Sequence, residues 1–301
     1  MTRPEFPSVI DNSMLKAFRS CAKKFEYEYL QHWKSKSPSV HLHAGKSFAS
    51  GLEAARIAFY LEGKSAPESV GAGIARLLHD YGDFECPDDS AKSALRMAGA
   101  LEYYFSIYPL GQDTAIPLTL AGGKRAIEFS FLEPINYKHP TTGDPILFSG
   151  RFDMAAEFAG GRFGVDEKTT SSLGKSWTGQ WELDPQPTAY TWGAASGGLP
   201  LDGFLVRGIS ILKTKYDHAQ CVTYRPAWRL DRWHAQVLRD LSRMEMMWRD
   251  GFFDWNEGHA CNDYGGCTFQ TVCQAKDPSP WLTMNFEQRR WNPVTREEEL
   301  L

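Results

Sequence analysis

The chain has 301 residues, of which 42% are hydrophobic, and its 33 Lys and Arg residues nearly balance 37 Asp and Glu residues. This length suits one large domain or a core with an accessory lobe, and the apolar content is ample for a sizeable core. No apolar run of about 18 residues occurs, and the N-terminus lacks the apolar stretch of a signal peptide, so we expect a cytoplasmic protein without a membrane span.

The first 110 residues are predicted to be largely helical. Apolar residues recur at three and four positions over 14–33, after candidate caps at Asn12 and Ser13, and further helices are predicted over 47–61, 66–79 and 90–108. The first helix carries basic residues that are candidates for binding nucleic acid, namely Lys16, Arg19, Lys23 and Lys24. A basic face can follow a phosphate backbone, although the charge alone favours a solvated helix face.

The pattern then changes to the alternation typical of strands. A strand is predicted over 125–132, and residues 146–168 are predicted to form a β-hairpin, because runs rich in Phe, Ile and Val flank Gly160-Gly161. A turn centred on that pair places residues whose numbers sum to 321 opposite each other, so Asp153 should face Lys168. Asp166 lies two residues before Lys168 and therefore shares its face.

One face of this hairpin thus combines two carboxylates with an ammonium group, as a divalent-metal site with a lysine beside it would. A surface salt bridge is the alternative interpretation. Two features favour the metal site. Gly150 and the small residues that follow Asp153 suggest the close approach of another element, and Asp is an unfavourable residue in strands.

Beyond the hairpin, an irregular stretch containing Trp177 and Trp181 is predicted to lead into a helix capped by Asp184. Gln186 and Tyr190 lie one turn apart on that helix and share a face. Strands are predicted over 203–213 and 220–224, then a helix over 227–249 and a surface tail from residue 277. This order predicts an α/β fold, a small mixed β-sheet flanked by helices with a helical N-terminal region.

Three motifs carry a resemblance to a known family: Gly150-x-x-Asp153, Asp166-Glu167-Lys168 and Gln186-x-x-x-Tyr190. In order and spacing they resemble the PD-(D/E)XK nuclease superfamily, and within it the RecB-like nuclease domain of phage or prophage type. The resemblance implies a restriction-endonuclease-like core and a metal-dependent deoxyribonuclease, more specifically an exonuclease in DNA recombination or repair. DNA is the expected partner, and a recombination or replication protein is left open as a second one.

The resemblance also implies a role for each site residue. Asp153 and Asp166 are expected to hold Mg²⁺ or Mn²⁺, for which carboxylate oxygens are suitable ligands, and Lys168 is expected to orient or deprotonate the attacking water. Gln186 and Tyr190 are expected to contact DNA or support Lys168. Glu167 should point to the other face of its strand and is assigned no catalytic role.

One position departs from the family pattern. Residues 45–53 resemble a family helix in which a metal-binding histidine follows the aromatic position, whereas Ala49 follows Phe48 here. Either water, Glu53 or Glu128 completes the metal shell, or the activity is weakened; Glu128 is a candidate ligand on the strand before the hairpin. The alternative function is therefore a catalytically weakened DNA-binding module stabilised by a metal cluster.

The cysteines suggest a second metal centre. Cys261, Cys267 and Cys273 form C-x5-C-x5-C, which differs from the C-x2-C of most zinc fingers. RecB-like nucleases with an iron–sulfur cluster combine three such C-terminal cysteines with a distant N-terminal one, and Cys21 with the residues that follow it resembles that cysteine. The resemblance implies a four-iron four-sulfur cluster, with Zn²⁺ as the alternative. Cys86 and Cys221 are expected to be isolated.

We therefore expect one compact unit with three regions: a helical N-terminal region over 1–110, the nuclease core over 111–250 and a cysteine-cluster segment over 251–301. A redox or sensor protein without nuclease activity is a third interpretation, but it leaves the composition of the hairpin unexplained.

Overall fold

The computed structural model describes residues 3–37, 39–87, 89–263 and 266–301. The chain groups into two compact units, which are described separately. Unit 1 comprises Met1–Ser37, Phe131–Gly150 and Leu230–Leu301, and unit 2 comprises Pro38–Ser130 and Arg151–Arg229. Each unit is assembled from stretches that are distant in sequence. The three-part division at residues 110 and 250 stays a prediction.

The helices are α1 (Asn12–Ser20), α2 (Ala22–Phe25), which continues into a π-helical turn (Glu26–Leu30), α3 (Val40–Tyr60), α4 (Ala66–Tyr81), α5 (Ala94–Ile107), α6 (Lys175–Leu183), α7 (Pro185–Ser196), α8 (Ala227–Asp250), α9 (His259–Asn262), α10 (Gln270–Gln274) and α11 (Ser279–Asn285). The strands are β1 (Val9–Asp11), β2 (Trp33–Ser35), β3 (Ile116–Pro117), β4 (Ile127–Lys138), β5 (Pro145–Phe158), β6 (Gly161–Thr170), β7 (Gly203–Ile211), β8 (Tyr216–Tyr224), β9 (Phe286–Asn292) and β10 (Glu297–Leu300).

Unit 2 contains a mixed sheet with helices packed on it. Strand β6 pairs antiparallel with the end of β5 and parallel with β7, and β7 pairs antiparallel with β8. Apolar side chains of α3, α4 and α5, among them Phe48, Leu77 and Leu101, form one buried cluster with Ile209 and Ile211 of β7. The predicted fold class, a small mixed sheet flanked by helices, is confirmed.

Unit 1 has its own strand pairings. Strand β1 runs parallel to the first part of β5, with Val9 opposite Leu147, and β9 lies between β2 and β10 in a small antiparallel sheet. An apolar cluster joins Tyr27 to residues of the C-terminal stretch, including Phe269 and Phe286. The sequence predicted a surface tail from residue 277; most residues there are exposed, but α11, β9 and β10 give the stretch a regular structure that the sequence analysis did not predict.

The long N-terminal helix predicted over 14–33 is also interrupted. Cys21 has an extended backbone, with φ −161° and ψ 118°, and separates α1 from α2. Lys23 N–H donates to the carbonyl of Asp254 at 3.0 Å, and the Asn256 side chain donates to the carbonyl of Ser20 at 2.7 Å. Backbone groups that a continuous helix would use internally are therefore paired with a segment more than 200 residues away.

Two further elements differ from the sequence prediction. Strand β4 runs on to Lys138, and the stretch with Trp177 and Trp181 is helix α6, because both indoles are buried on one face. Among the helices of the described residues, none combines the length and the apolar character needed to cross a membrane.

Candidate active site

The hairpin of β5 and β6 turns one residue earlier than the sequence suggested. Ala159 and Gly160 both have positive φ, 49° and 80°, as a two-residue hairpin turn requires. Gly161 instead opens β6, where an added Cβ would lie 2.9 Å from an Asp202 carboxylate oxygen. Gly161 therefore leaves room for Asp202, which accepts a hydrogen bond from Arg162 N–H at 2.8 Å.

The register of the hairpin shifts accordingly. Phe158 pairs with Gly161 and Met154 with Val165, so paired residue numbers sum to 319 rather than 321. Asp153, one residue beyond the last pair, comes opposite Asp166, and the prediction that it faces Lys168 is wrong. A shift of two residues keeps every side chain on its face, because strand side chains alternate.

Asp166 and Lys168 form an ion pair on β6. The Lys168 ammonium donates to Asp166 Oδ2 at 2.6 Å, and the lysine side chain keeps 30% of its exposure whereas the aspartate side chain keeps 11%. Burial alone would lower the pKa of Lys168, but the charge of Asp166 outweighs it and raises that pKa above its ordinary value. Lys168 is therefore a partly exposed side chain that is held protonated.

Asp153 lies among other carboxylates. Its Oδ2 accepts a hydrogen bond from the backbone N–H of Glu167 at 2.7 Å. Burial, followed by the charges of Glu167 and Asp166, raises the pKa of Asp153 well above its ordinary value. The pKa of Asp166 is also raised by burial, although Lys168 opposes this shift.

Glu128, the additional candidate ligand, has an unusual backbone. Its φ is 51°, a left-handed value that a non-glycine residue rarely adopts in a strand. Its carboxylate forms an ion pair with Arg151 at 3.1 Å. Burial, and then the charge of Glu53 on α3, raise the pKa of Glu128 to about 7. Glu53 thus brings a carboxylate of α3 near Glu128, one turn after the position of Ala49.

The predicted pair Gln186 and Tyr190 forms on α7. Asp184 caps this helix by accepting a hydrogen bond from Gln186 N–H at 2.8 Å, as predicted. The Gln186 amide donates to the Tyr190 hydroxyl at 2.9 Å, and the tyrosine ring is 2% exposed and stacks on Phe152. The ring packs on the sheet while its hydroxyl remains within reach of Gln186.

The Glu167 side chain lies apart from its neighbours in β6, as alternation predicts. It pairs with Arg56 of α3 and accepts a hydrogen bond from the Tyr104 hydroxyl at 2.7 Å. Arg56, Tyr104 and their partner Arg207 are not among the residues predicted from the sequence. A signal was present: Arg56 continues the apolar stripe of Phe48 and Leu52 at a spacing of four, and Arg207 interrupts an apolar strand.

A comparison with known protein families shows the family to which the chain belongs. Residues 12–274 match the family model described as the PD-(D/E)XK nuclease superfamily. The chain belongs to this superfamily. Its members typically use Mg²⁺ or Mn²⁺ to hydrolyse DNA, so membership implies nuclease chemistry and DNA as the substrate.

Comparisons with individual proteins add little. Among solved structures, one titled "Crystal structure of SSO0001" matches at 14% identity over 66% of this chain and 74% of that chain, with a TM-score of 0.30. That likeness is too weak to inform on the site. No curated protein matches.

The carboxylates of the candidate site provide the oxygen donors and the negative charge that the divalent cation of a PD-(D/E)XK nuclease needs. Within the described residues, no three His, Cys, Asp or Glu side chains already form a group that could hold a metal ion. Asp153, Asp166 and Glu128 nevertheless provide hard oxygen donors. Burial raises the pKa of each of the three, and neighbouring carboxylates add to each shift; a bound cation would oppose both effects. The donors are therefore of the type that Mg²⁺ and Mn²⁺ prefer.

The four cysteines proposed as cluster ligands lie in unit 1. Cys21, Cys261, Cys267 and Cys273 line one cavity of about 270 Å³, together with Lys24 and Trp255. Burial raises the pKa of the Cys273 thiol, and the three other sulfurs lie close enough to add to that shift. Cys86 and Cys221 do not line this cavity, which agrees with the prediction that they are isolated cysteines.

The four basic residues predicted to bind nucleic acid differ in their surroundings. Arg19 pairs with buried Asp240 at 2.7 Å, and Lys23 pairs with Glu26 at 2.5 Å. Lys16 is exposed, and Lys24 is half-buried at the cysteine cavity. Two of the four charges are therefore already balanced within unit 1.

Proposed function

We propose that this protein is a metal-dependent deoxyribonuclease that hydrolyses phosphodiester bonds, with its active site on β5 and β6. The observation that carries the proposal is the ion-paired Asp166 and Lys168 on the same face as Asp153, in a chain of the PD-(D/E)XK superfamily. A merely structural salt bridge would not require a further buried carboxylate beside it. The arrangement combines negative donors for a cation with the ammonium group of a partly exposed lysine.

The proposed roles follow from charge and position. Asp153 and Asp166 would hold Mg²⁺ or Mn²⁺, with Glu128 as a third carboxylate. A divalent cation at this position supplies Lewis-acid stabilisation of the phosphoryl oxygens and favours ionisation of a water molecule. The N–H of Glu167 orients Asp153 through its 2.7 Å hydrogen bond and so limits the directions in which this ligand can point.

Lys168 is proposed to act as a positive charge and a hydrogen-bond donor rather than as a base. The raised pKa of its ammonium group keeps it protonated at neutral pH. A protonated lysine can orient the attacking water and stabilise negative charge on the phosphate in the transition state. Gln186 and Tyr190 are proposed to contact DNA or to support Lys168.

We propose further that the enzyme is a RecB-like exonuclease that acts in DNA recombination or repair. The order of Asp153, Asp166, Lys168 and the Gln186-x-x-x-Tyr190 motif supports this assignment, and so does the hydrogen bond within that motif. Exposed Lys16 and half-buried Lys24 are proposed to contact DNA phosphates, together with Arg19 and Lys23 if their internal ion pairs open.

The cysteine cavity is proposed to hold a four-iron four-sulfur cluster on Cys21, Cys261, Cys267 and Cys273. The support is that one cavity of about 270 Å³ brings these four side chains together from distant parts of the chain. Four thiolates are the usual ligands of such a cluster. Zn²⁺ on the same thiolates is the alternative, and metal analysis distinguishes the two.

The deciding experiment is a cleavage assay with end-labelled single- and double-stranded DNA. Wild-type protein with Mn²⁺ or Mg²⁺ should release products, EDTA should stop the reaction, and substrates with blocked ends should resist cleavage if the enzyme is an exonuclease. Cleavage of blocked substrates would instead indicate an endonuclease.

A second outcome of this assay concerns Ala49, which stands where the family has a histidine. DNA binding without metal-dependent cleavage would favour the alternative function, a weakened DNA-binding module stabilised by a metal cluster. Restoration of cleavage by Ala49→His would then attribute the loss to this position.

A further inference from the structure

A buried network of polar side chains surrounds Glu167, the residue between Asp166 and Lys168. Its members come from five parts of unit 2: Arg56 of α3, Tyr104 of α5, Asp113 before β3, Glu167 of β6 and Arg207 of β7. Their side chains are 10% exposed or less, and Arg207 is fully buried. The two arginines balance the two carboxylates.

Each connection of this network is a hydrogen bond. Arg56 donates to both carboxylate oxygens of Glu167, with Nη1 to Oε2 at 3.2 Å, and donates to the Tyr104 hydroxyl at 2.9 Å. The Tyr104 hydroxyl donates to Glu167 Oε1 at 2.7 Å and accepts from Arg207 at 3.0 Å. Arg207 also donates twice to Asp113, both at 2.7 Å.

The network occupies both oxygens of the Glu167 carboxylate. Arg56 donates to each of them, and the Tyr104 hydroxyl donates to Oε1 as well. A fully satisfied buried network of this kind restricts the positions of all its members.

The backbone of the same residue reaches the candidate active site, because Glu167 N–H donates to Asp153 Oδ2 at 2.7 Å. We propose that Arg56 is a positioning residue for DNA cleavage, which holds Glu167 so that its N–H orients Asp153 beside Asp166. This inference rests on the proposed nuclease function. Arg56 itself is not expected to touch DNA or metal.

Stability alone does not require these charges. Apolar side chains of similar volume often replace a buried ion pair without loss of stability, whereas removal of one partner leaves an uncompensated charge. The double variant Arg56→Met/Glu167→Leu therefore separates packing from positioning. It removes both charges and fills the space. It also removes the side-chain hydrogen bonds that hold residue 167, and with it the backbone N–H of that residue, in position.

The test compares this double variant with wild-type protein, Arg56→Met and the control Arg76→Gln. Arg76 forms an exposed ion pair with Asp80 on α4 and belongs to the same unit. The measurements are the melting temperature, Mn²⁺ affinity without DNA, and kcat and KM on an oligonucleotide. We expect Arg56→Met to lower the melting temperature and kcat, and Arg76→Gln to leave kcat and Mn²⁺ affinity unchanged.

The double variant decides between a positioning role and a purely structural role of Arg56. Its melting temperature should recover, while kcat and Mn²⁺ affinity should stay about 10–100-fold below wild type, the range typical of groups that orient a metal ligand, at unchanged KM. Recovery of kcat and Mn²⁺ affinity together with stability would overturn the proposal. If wild-type protein cuts no DNA, the nuclease proposal fails, and Mn²⁺ affinity still tests the role of Arg56.

Tyr104→Phe provides a second test that does not depend on folding of the double variant. It removes the hydroxyl that accepts from Arg56 and donates to Glu167, so it loosens the hold of the network on Glu167 without leaving a charge uncompensated. We expect a smaller reduction in kcat and in Mn²⁺ affinity, with KM unchanged. Wild-type values for both quantities would contradict the proposal.

Discussion

The hairpin site and the cysteine cavity gather their functional groups in opposite ways. Asp153, Asp166 and Lys168 lie within 16 residues of one another on two adjacent strands. Cys21 and Cys273 are about 250 residues apart and meet only because unit 1 combines the two ends of the chain. Local strand geometry assembles the first site, and long-range folding assembles the second.

The two sites also differ in what opposes their formation. In the hairpin site burial, and then neighbouring carboxylates, raise the pKa of Asp153 and Asp166, and Lys168 opposes the shift at Asp166. The cysteine cavity instead requires a very long loop to close, at an entropic cost that grows only slowly with loop length. Loss of a group should therefore affect chemistry in the first site and folding in the second.

The largest expected effect is on cleavage. Asp153→Asn, Asp166→Asn and Lys168→Ala should each lower kcat by about 10²–10³-fold or more, because each removes a charge at the proposed reaction centre. Asp153→Asn should melt no lower than wild type in EDTA, since it relieves repulsion, whereas Asp166→Asn should melt lower because it removes the partner of Lys168. Asp89→Asn, at an exposed ion pair in the same unit, is the control. A folded triple variant with wild-type kcat would exclude this site.

Loss of a cysteine should act on folding and metal content. Cys267→Ser and Cys21→Ser should each lose most of the bound iron and lower the melting temperature, because metal binding and folding of unit 1 are coupled. Cys86→Ser is the matched control. Colourless wild-type protein with one zinc would reassign the metal. If Cys21→Ser kept its metal while Cys267→Ser lost it, Cys21 would not be a ligand.

Two glycines allow the two units to be perturbed separately. An added Cβ would lie 2.2 Å from the Phe204 ring at Gly164 and 2.2 Å from the Phe131 ring at Gly150. Alanine at either position should cost about 1–3 kcal/mol of stability through overpacking. Gly164→Ala, on β6, should also lower kcat while the metal content of the cysteine site stays constant.

The matched control for both substitutions is Gly179→Ala, because nothing lies within 4 Å of an added Cβ there. It should be neutral or stabilise helix α6 by up to about 1 kcal/mol. A melting temperature of Gly164→Ala equal to that of this control would contradict the overpacking argument.

A smaller effect is expected for the basic residues of unit 1. Lys16→Gln/Lys24→Gln should lower the slope of log Kd against log salt by about one unit for each lost phosphate contact. Arg19→Gln/Lys23→Gln should change the slope less and stability more, because both charges are paired internally. Equal slopes for the two double variants and wild type would mean that these residues face solvent and do not contact DNA.

The smallest effect concerns pH and a surface ion pair of unit 2. Burial would raise the pKa of Asp80, but Arg76 and His79 lower it to about 2. A depressed carboxyl pKa stabilises the fold above the ordinary pKa, and that contribution disappears as pH falls towards 2. Asp80→Asn should therefore cost less than about 1 kcal/mol at pH 7 and nothing near pH 2, measured by urea unfolding.

The contrast between the sites explains what the sequence could predict. Alternation along strands identified the shared face of Asp153, Asp166 and Lys168 although the turn was misplaced, because a shift of two residues preserves the face. The register could not be predicted, since it depends on Asp202 and on the positive φ of Ala159. Asp202 lies 40 residues beyond Arg162, and a positive φ is uncommon for alanine.

Tertiary partners account for the other differences. Helix periodicity continues through Cys21, and only the distant residues Asp254 and Asn256 reveal why the helix stops there. Arg56 likewise fits a helical stripe, so its burial against Glu167 follows from a strand 111 residues away. Propensity and periodicity describe an element by itself and do not include such partners.

The composition of unit 1 has a consequence for synthesis of the protein. Its first stretch ends at Ser37 and its last begins at Leu230, so all of unit 2 leaves the ribosome before unit 1 has its final segment. At about 5–20 residues per second, Cys21 is made roughly 10–50 s before Cys273. During that interval the N-terminal thiol lacks its partners, and a metal that needs all four proposed cysteine ligands could be inserted only near the end of translation.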